Sequence, residues 1–569
     1  MASRSHAAHG EAPKVRGIPN LKQHHRDLVL LALAAALFFS LSLGARDLWA
    51  PNEPSYGRVV VEMLESGDWV LPTLNGEVFA EKPILFYWLG AASSLAAGGV
   101  TESSLRAPLV LTAVGSVLLV YLLITFYVGR RAALLGAGVF ATEYLVWWTS
   151  RTIQMDSFVL LSTLATTLAL SRRLDGHWSA RRAWIIAGLS AGLGFAAKGP
   201  VTSVVPATII LAYCIVGRRP LLKLFRGLPW GLAVFALCGL PWYAALFASG
   251  QTDALHELIL RQNFSRFVEA WDHRQPWYYF LKYFWVSYAP WSWFVPIAAF
   301  IRTANEPEKR AKILGFMWIL APMLFFSLSD SKREPYLLPV APGIALLVAL
   351  VLDRLAEDRL GRGQRRATLA VCAFFGSLFL AAGLYLWVAP PADLPPELSL
   401  STTLLACGLL GLGGIAWSQR RWSAPAGLMA AVTLLFVLAS TNILPGGDPI
   451  KSHRGFAREA RALVPSGSRL HAFFGPGTRK WQRGGAYAFY MERTIPHLAD
   501  DAALLAAWDE AQPICLITED PLSRAVLPPL ARSRRMLVKK VGSKTSILLC
   551  RDDSLPAERP AAGFADADR

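Results

Sequence analysis

Charge is scarce in this sequence. Only 17% of the 569 residues are charged, whereas 54% are hydrophobic. A soluble chain of this length needs far more charge to cover its surface, so the composition argues against a soluble globular protein. Apolar runs of about twenty residues recur, and each is long enough to cross a hydrocarbon layer of ~30 Å at ~1.5 Å per residue. The predicted fold class is therefore a polytopic α-helical membrane protein.

Cysteine is also rare, and the six cysteines show no metal-ligand spacing. Four of them lie in apolar runs, where packing is the expected role: Cys214, Cys238, Cys372 and Cys407. Cys515 and Cys550 lie near the C-terminus, and the sequence leaves open whether they pair. We expect that no metal and no cofactor are required, although an isolated Glu/His site is left open.

The net charge of +17 first suggests a nucleic-acid partner. The basic residues cluster instead in short loops between apolar runs, which is typical of membrane topology, so we exclude nucleic acid. Residues 1–26 are polar and basic, and the first apolar run lacks a small-residue cleavage site. We therefore predict a cytoplasmic N-terminal segment followed by a retained span rather than a cleaved signal peptide.

The apolar runs predict thirteen spans. They cover about 27–45, 105–127, 131–150, 154–172, 182–198, 201–217, 228–248, 280–301, 312–328, 335–352, 367–389, 402–418 and 424–442. Every second loop is basic, at Arg130 and Arg131, Arg172 to Arg182, Arg218 to Arg226, Lys309 to Lys312, Arg354 to Arg366, and Arg420 with Arg421. By the positive-inside rule these loops are cytoplasmic, and an odd number of spans places the region after about Asp448 outside.

Two of the outward loops are long, at 46–104 and 249–279. The first contains "GRVVVEMLESGDW" and "KPILFYWLGAASSLAAG", which we interpret as helices in the membrane interface, where Trp and Tyr are frequent. Plain linkers with aromatic belts are the alternative. Long outer loops of a compact membrane protein usually carry function, which favours the first interpretation.

The region 446–553 predicts a small α/β domain on the outer face. Helices are expected in "HRGFAREARALV", "DAALLAAWDEA" and "PLSRAVLPPLARS", and strands in "RLHAFF", "PICLIT", "RMLVKKV" and "SILLC". No Gly-rich phosphate loop and no nucleophile elbow occurs in it. Residues 554–569 are expected to form a disordered tail.

Ionisable residues gather at the predicted outer ends of the spans. They are Glu53, Glu81, Lys82, Asp156, Lys198, Arg261, Arg266, Asp272, His273, Arg274, Lys332, Arg333 and Glu334. Charges near the membrane are costly and usually line a site or pathway. A carboxylate with several cations suits transfer from a lipid-linked phosphate, because the cations neutralise the leaving phosphate and the carboxylate accepts a proton. Snorkelling of Lys198 and helix capping by Asp156 are the structural alternatives.

The stretch "NEPSYGRVVVEMLESGDWVLPTLNGEVFAEKPILFYWL" resembles the first outer loop of GT-C class bacterial membrane glycosyltransferases. The resemblance is to protein O-mannosyltransferase-like enzymes and the lipid A aminoarabinose transferase. It continues through "QMDSFVLL", "GFAAKGP", "SRFVEAWDHRQPWYY" and "SKREPYLLPVAP", and more loosely through "GGAYAFYMERTIPHL". It implies a GT-C fold of about thirteen helices, with the N-terminus inside and the C-terminal domain outside.

The family carries an Asp-Glu pair in this loop and uses its Asp as the catalytic carboxylate, where this chain has Asn52-Glu53. An amide accepts no proton at neutral pH, so Asn52 is no base. Three interpretations follow: Glu53 is the base, Asp156 is the base, or the protein is catalytically silent. The sequence prediction favours Glu53, with Asn52 orienting the loop or the sugar.

The resemblance further implies an inverting transfer from a polyprenyl-phosphate sugar to an acceptor hydroxyl on a lipid, glycan or protein. The expected phosphate ligands are Lys82, Arg266, Lys198 and Tyr336, with Glu81, Tyr56 and His273 supporting them. The implied location is the bacterial inner membrane, with the active site periplasmic and bilayer lipids around it. A lipid or lipid-linked sugar flippase and a non-catalytic lipid-binding scaffold remain as alternatives; the flippase predicts mid-span charges and paired repeats.

Overall fold

The computed structural model describes residues 21–265, 273–389, 400–416, 423–475, 481–510, 513–520, 526, 533 and 535–551. Its first helices, which we number in chain order, are α1 (Leu21–Ser40), α2 (Asn52–Ser66), α3 (Leu85–Ala97), α4 (Glu102–Tyr127), α5 (Arg130–Ala141), α6 (Tyr144–Thr149), α7 (Asp156–Leu174), α8 (Ala180–Lys198) and α9 (Val201–Val216). A two-stranded hairpin of β1 (Thr73–Leu74) and β2 (Glu77–Val78) lies between α2 and α3.

The second half of the membrane region is also helical. Its α-helices are Leu222–Phe225, Leu228–Gly239, Pro241–Ala248, Thr252–His256, Tyr279–Ser287, Val295–Ala299, Glu306–Ser327, Ala341–Ala356, Arg362–Val388, Leu400–Ala416 and Ser423–Leu438. Wider π-helical turns span Glu257–Ser265 and Ala439–Ile443, and tighter 3₁₀ turns span Trp291–Phe294 and Glu334–Val340. Short helices at Leu444–Gly446 and Asp448–Lys451 lead out of this region.

Every predicted span coincides with a helix or with a run of helices. Within the described residues, five helices are long and apolar enough to cross a membrane, or six if the pair Leu228–Gly239 and Pro241–Ala248, bent by 50°, counts as one span. The polytopic helical class is thus confirmed, and the number thirteen stays a prediction. Helix α1 includes residues 21–26, which lie before the predicted span. The apolar-run criterion left them out because most of them are polar.

The helix Ala341–Ala356 forms the centre of the bundle and is buried along almost its whole length. It packs closely against α5, where a Cβ on Gly136 would lie 2.2 Å from Ile124 and 3.0 Å from Ala349. Such an approach needs a residue without a side chain. This central helix is all apolar from Ala341 to Leu352, so it suits a position that lipid does not reach.

Helix α2 confirms the first predicted outer-loop helix. Its apolar residues Val59, Val60 and Met63 recur at helical spacing and are buried. The helix is capped at its C-terminal end by Gly67, which has φ +71° and donates its backbone N–H to the Met63 carbonyl. Helix α3 confirms the second outer-loop helix, and the hairpin between the two was not predicted.

The C-terminal region contains helices at Arg454–Leu463, Trp481–Met491 and Asp501–Asp509 and the strands β3 (Arg469–Ala472), β4 (Ile514–Glu519), β5 (Arg535–Val541) and β6 (Lys544–Arg551). The sheet order is β3-β4-β6-β5, with β3 parallel to β4 and the other pairs antiparallel. The four predicted strands are confirmed. A disulfide joins Cys515 to Cys550 across β4 and β6, which settles the pairing that the sequence left open.

A polar junction holds this region to the first outer loop. Asp448 accepts hydrogen bonds from the Asp47 backbone N–H at 2.9 Å and from the Trp49 indole at 2.7 Å. Arg454 forms an ion pair with Asp47 at 2.5 Å. The α2 helix therefore has fixed neighbours on two sides: the membrane bundle and the C-terminal sheet domain. Apart from residues 526 and 533, the predicted helix at 521–533 lies outside the described residues, and so does the tail at 554–569.

Candidate active site

A cavity of about 350 Å³ lies where the predicted outer ends of several helices meet. Its polar lining comprises Glu81, Lys82, Asp156, Lys198, Gln262, Asn263, Ser329, Ser331 and Tyr336. Pro200, Val201, Val204, Phe325 and Phe326 contribute apolar surface. The cavity therefore combines charges with an apolar wall, as a lipid-linked polar ligand requires.

Asp156 and Lys198 form an ion pair of 2.5 Å in this cavity. Helix α7 begins at Asp156 and α8 ends at Lys198, so the antiparallel packing of these two helices brings the two residues together. The lysine Nζ also lies 5.6 Å from the centroid of the Tyr336 ring. The two side chains thus contact each other inside the cavity, which neither alternative from the sequence predicted.

Glu81 and Lys82 line the same cavity from the segment between β2 and α3. The Lys82 ammonium donates a hydrogen bond to the Glu81 backbone carbonyl at 3.1 Å. This contact orients the lysine through the main chain of its neighbour. Lys82, Lys198 and Tyr336, three of the four predicted phosphate ligands, are thus brought together, whereas Arg266 lies outside the described residues.

Four polar residues of the lining were not singled out from the sequence: Gln262, Asn263, Ser329 and Ser331. Asn263 is fixed by a 2.6 Å hydrogen bond from its side-chain amide to the Leu258 carbonyl. It sits in the π-helical turn Glu257–Ser265. The sequence could have indicated this residue, because Gln262 and Asn263 form an adjacent polar pair in the long second outer loop.

Lys332 holds the second outer loop beside the cavity. Its ammonium donates to the carbonyls of Gln275, at 3.1 Å, and of Ser329. Its backbone N–H donates to the His273 carbonyl at 3.0 Å. Burial lowers the pKa of Lys332. His273 itself is exposed at φ +53° and is not among the side chains that line the cavity, so its supporting role there is limited to its backbone.

Glu53 lies in a different environment from the one expected of a base. Its carboxylate is buried and accepts hydrogen bonds from Arg46 at 2.7 and 3.0 Å and from Arg106 at 3.2 Å. The backbone N–H groups of Trp49 and Ile153 donate to it at 3.0 Å each. Burial by itself raises the pKa of Glu53. The neighbouring charges of Arg106 and Arg46 and these hydrogen bonds have the larger effect and lower the pKa to about 2.

This geometry argues against proton transfer by Glu53. The carboxylate is not among the groups that line the cavity, and its oxygens already accept several hydrogen bonds. It fixes Ile153, three residues before Asp156, while Arg46 donates to the Arg151 carbonyl at 3.1 Å. Glu53 therefore anchors the segment that carries Asp156. Sequence reasoning missed both arginines because nothing in the local pattern links them to this carboxylate.

The other predicted residues of α2 also lie outside the cavity lining. Tyr56 is buried in an aromatic cluster with Phe79, Phe86 and Tyr87 at centroid distances of 6.1 to 6.3 Å. Asn52 is half-buried at the start of α2 and is not among the lining side chains. In the described part of the chain, no three His, Cys, Asp or Glu side chains gather as metal ligands, and the expectation of no metal stays a prediction.

Comparison with known proteins gives matches in sequence and in fold. Residues 81–244 match the family model for dolichyl-phosphate-mannose-protein mannosyltransferase. An undecaprenyl phosphate-alpha-4-amino-4-deoxy-L-arabinose arabinosyl transferase of Pseudomonas aeruginosa is 32% identical over 433 residues, covering 72% of this chain and 74% of the relative. The protein of the same name from Pectobacterium carotovorum is 28% identical, covering 77% and 81%.

Among solved structures, ArnT from Cupriavidus metallidurans bound to undecaprenyl phosphate matches with a TM-score of 0.73 at 19% identity, covering 94% of this chain and 99% of that one. The archaeal oligosaccharyltransferase AglB from Archaeoglobus fulgidus matches with a TM-score of 0.51 at 14% identity, covering 87% and 69%. The fold and site thus define a GT-C membrane glycosyltransferase. The chain belongs to the family of undecaprenyl phosphate-alpha-4-amino-4-deoxy-L-arabinose arabinosyl transferases.

Proposed function

We propose that this chain moves a sugar from undecaprenyl phosphate to an acceptor hydroxyl, with the chemistry in the cavity around Asp156. One observation carries the proposal: this cavity holds two carboxylates, two lysines and a tyrosine beside an apolar wall. A lipid-linked phosphate needs cations for its head and apolar surface for its tail. The donor name of the relatives and their coverage of this chain support the same substrate class.

Lys82 and Lys198 would neutralise the donor phosphate. Negative charge grows on the phosphate oxygen as the bond to the sugar breaks, so a cation placed beforehand stabilises the transition state more than the ground state. Tyr336, whose ring lies beside the Lys198 ammonium, would add a hydroxyl donor. Arg266 remains a fourth ligand on the sequence prediction alone.

Asp156 would act as general base, the role that the sequence prediction gave first to Glu53. Among the described side chains lining the cavity, the carboxylates are Glu81 and Asp156, and Asp156 lies against the lysine that would hold the phosphate. Its oxygen accepts the hydroxyl proton as the acceptor oxygen bonds to C1. The bond from C1 to the phosphate oxygen breaks with both electrons going to the phosphate, which inverts C1 in a single displacement.

We place the cavity and the C-terminal domain on the periplasmic side of a bacterial inner membrane. The basic loops support this orientation through the positive-inside rule. The Cys515–Cys550 disulfide supports it as well, since disulfides persist in the periplasm and are rare in the cytosol. The donor sugar we propose is the 4-amino-4-deoxy-L-arabinose of the relatives' name, and the acceptor is a lipid, glycan or protein hydroxyl.

The test is turnover of this donor by the purified protein, measured as release of undecaprenyl phosphate, with a lipid-linked hexose as the comparison donor. Asp156→Asn should lower kcat by about 10²- to 10⁴-fold while donor binding persists, because loss of a general base has that effect. Ser157→Ala, a buried neighbour outside the lining, is the control and should keep wild-type turnover. Wild-type turnover in Asp156→Asn would reject Asp156 as base, and turnover of the hexose alone would reject the proposed sugar.

A further inference from the structure

A second cavity, of about 360 Å³, lies at the other end of α7. Its charged and titratable lining consists of His24, Tyr127, Arg172, Asp175, His177 and Arg310. Asp156 begins α7 and Arg172 lies in its last turn, so a rise of ~1.5 Å per residue separates the two cavities by roughly 25 Å. The second cavity is therefore distinct from the candidate active site.

Asp175 is the carboxylate of this second cavity, and several side chains contact it. The hydroxyls of Tyr127 and Tyr213 donate to it at 2.6 and 3.3 Å. Arg219 and Arg310 each approach the same Asp175 oxygen at 3.5 Å. One buried carboxylate thus faces two guanidinium groups, neither of them at close hydrogen-bonding distance.

Arg172 adds a third cation. Its side chain is buried and stacks on the Phe126 ring, with 4.4 Å from Cζ to the ring centroid. Within the described residues it has no ion-pair partner, and its Nε atom, like those of Arg219 and Arg310, has no hydrogen-bond acceptor. Burial and the nearby Arg172 charge lower the pKa of His177, as expected where positive charge is in excess.

Three guanidinium groups facing one carboxylate leave an excess of positive charge at a largely buried place. Buried charge without a counterion is costly, and an arginine with unused N–H groups is a donor set for an oxyanion. We infer that this second cavity binds a phosphate group. Arg172 and Arg310 would hold the phosphate oxygens by charge-assisted hydrogen bonds, and Asp175 would keep Arg310 in place.

The same phosphate chemistry has two sources. Leu21, Phe126 and Pro307 give the cavity an apolar side, which suits the glycerol and alkyl parts of an anionic phospholipid. Inorganic phosphate offers the same oxygens without an apolar part. Both ligands would use Arg172 and Arg310, and only the first would use the apolar side.

The experiment measures binding of both probes to the full-length protein in phosphate-free detergent buffer. Native mass spectrometry follows phosphatidylglycerol, with diacylglycerol as the matched lipid without phosphate, and calorimetry follows inorganic phosphate. Arg172→Gln and Arg310→Gln should each weaken binding by about tenfold or more, since each removes a charge-assisted contact. Binding of phosphatidylglycerol alone identifies a lipid headgroup; binding of inorganic phosphate alone identifies the free ion.

Lys309→Gln is the matched control, because it removes the same charge one residue from Arg310 at an exposed position outside the cavity lining. It should change affinity by less than about twofold, since an exposed charge is screened. Arg310→Lys keeps the charge without the planar fork and should bind at an intermediate level, which separates lost contact from lost folding. Lys198→Gln should keep the binding, because it alters only the first cavity.

The inference would be overturned if neither probe binds the wild-type protein, or if Lys309→Gln weakens binding as much as Arg310→Gln does. It would also be overturned if binding is lost in Lys198→Gln and kept in Arg310→Gln. The last result would assign the phosphate to the cavity around Asp156. Diacylglycerol binding as tightly as phosphatidylglycerol, with no response to inorganic phosphate, would also count against a phosphate site.

Discussion

At the residue scale, Glu53 and Asp156 show how surroundings divide two carboxylates between two roles. Glu53 is enclosed by Arg46, Arg106 and two backbone N–H groups, so it has little room for a substrate proton. Asp156 has one lysine partner and an open cavity in front of it. In the proposed function, the same chemical group therefore stabilises a loop in one place and faces the substrate in the other.

The acid sensitivity of the fold should report the role of Glu53. Its pKa of about 2 in the folded protein lies below the ordinary value of 4.5, so its contribution to stability is complete above about pH 4.5 and is lost as the pH falls toward about 2. Glu53→Gln should lower the melting temperature at pH 7, because it leaves two buried arginines short of a counterion, an effect on the order of 3–5 kcal/mol.

Thermal melts of both proteins at pH 7, 5, 4 and 3 check this. The difference between wild type and Glu53→Gln should shrink across the lower values. Glu65→Gln, an exposed carboxylate at the end of the same helix, serves as control and should melt like the wild type. A constant difference at every pH would contradict the assigned pKa.

The two cavity lysines should set donor affinity. Lys82→Ala and Lys198→Ala should each weaken binding of undecaprenyl phosphate by about ten- to hundredfold, since each loses a charge-assisted contact of roughly 1.5–3 kcal/mol. Lys282→Ala removes an exposed lysine outside the lining and should bind like wild type. If all three variants bind undecaprenyl phosphate as tightly as the wild type does, Lys82 and Lys198 are not ligands of the phosphate.

At the element scale, α2 connects the membrane bundle to the C-terminal domain. The helix Trp481–Met491 packs against it so closely that a Cβ on Gly485 would lie 2.5 Å from the Ser55 hydroxyl and 2.9 Å from the Ser55 Cα. Gly57 faces Leu105 and Phe489 in the same way, at 2.9 Å each. Small residues thus set the distance between two helices that are far apart in sequence.

Gly485→Ala should therefore destabilise the protein. The added methyl group meets backbone as well as side chain, so one helix must shift, at a cost of about 1–3 kcal/mol. Gly363→Ala, where a Cβ meets nothing within 4 Å, is the matched control and should be neutral or slightly stabilising. Chemical-denaturation midpoints of the two variants check this, and equal midpoints would contradict the close packing.

At the scale of the whole molecule, the basic loops and the Cys515–Cys550 disulfide both support the proposed orientation, in which the C-terminal domain lies outside the cytoplasm. A phosphatase that folds only in an oxidising compartment should be active when fused after the C-terminal domain. A fluorescent protein that folds only in the cytoplasm should stay dark at the same fusion point. The reverse pattern would place the domain inside and would overturn the predicted topology.

Sequence patterns alone were enough to predict the membrane class, the positions of the helices, α2 and α3 of the first outer loop and the four strands of the C-terminal sheet. These features are local: they follow from apolar runs about as long as a bilayer is thick and from the alternation of side chains along a strand. The cavity residues Lys82, Asp156 and Lys198 were also found from the sequence, because charged groups at the ends of apolar runs or in outer loops stand out, whereas Tyr336 was found through the family resemblance.

The surroundings of those groups could not be predicted from the sequence and became visible in the folded chain. Glu53 and Asp156 are alike in the sequence, and their difference lies in partners far along the chain: Arg106 lies 53 residues from Glu53, and Ile153 lies 100 residues away. The arginines around Asp175 likewise come from separate parts of the chain, since Arg219 follows α9 and Arg310 lies in the helix Glu306–Ser327. Electrostatic environment depends on distance in space, and packing of the helices, rather than the order of residues, sets that distance.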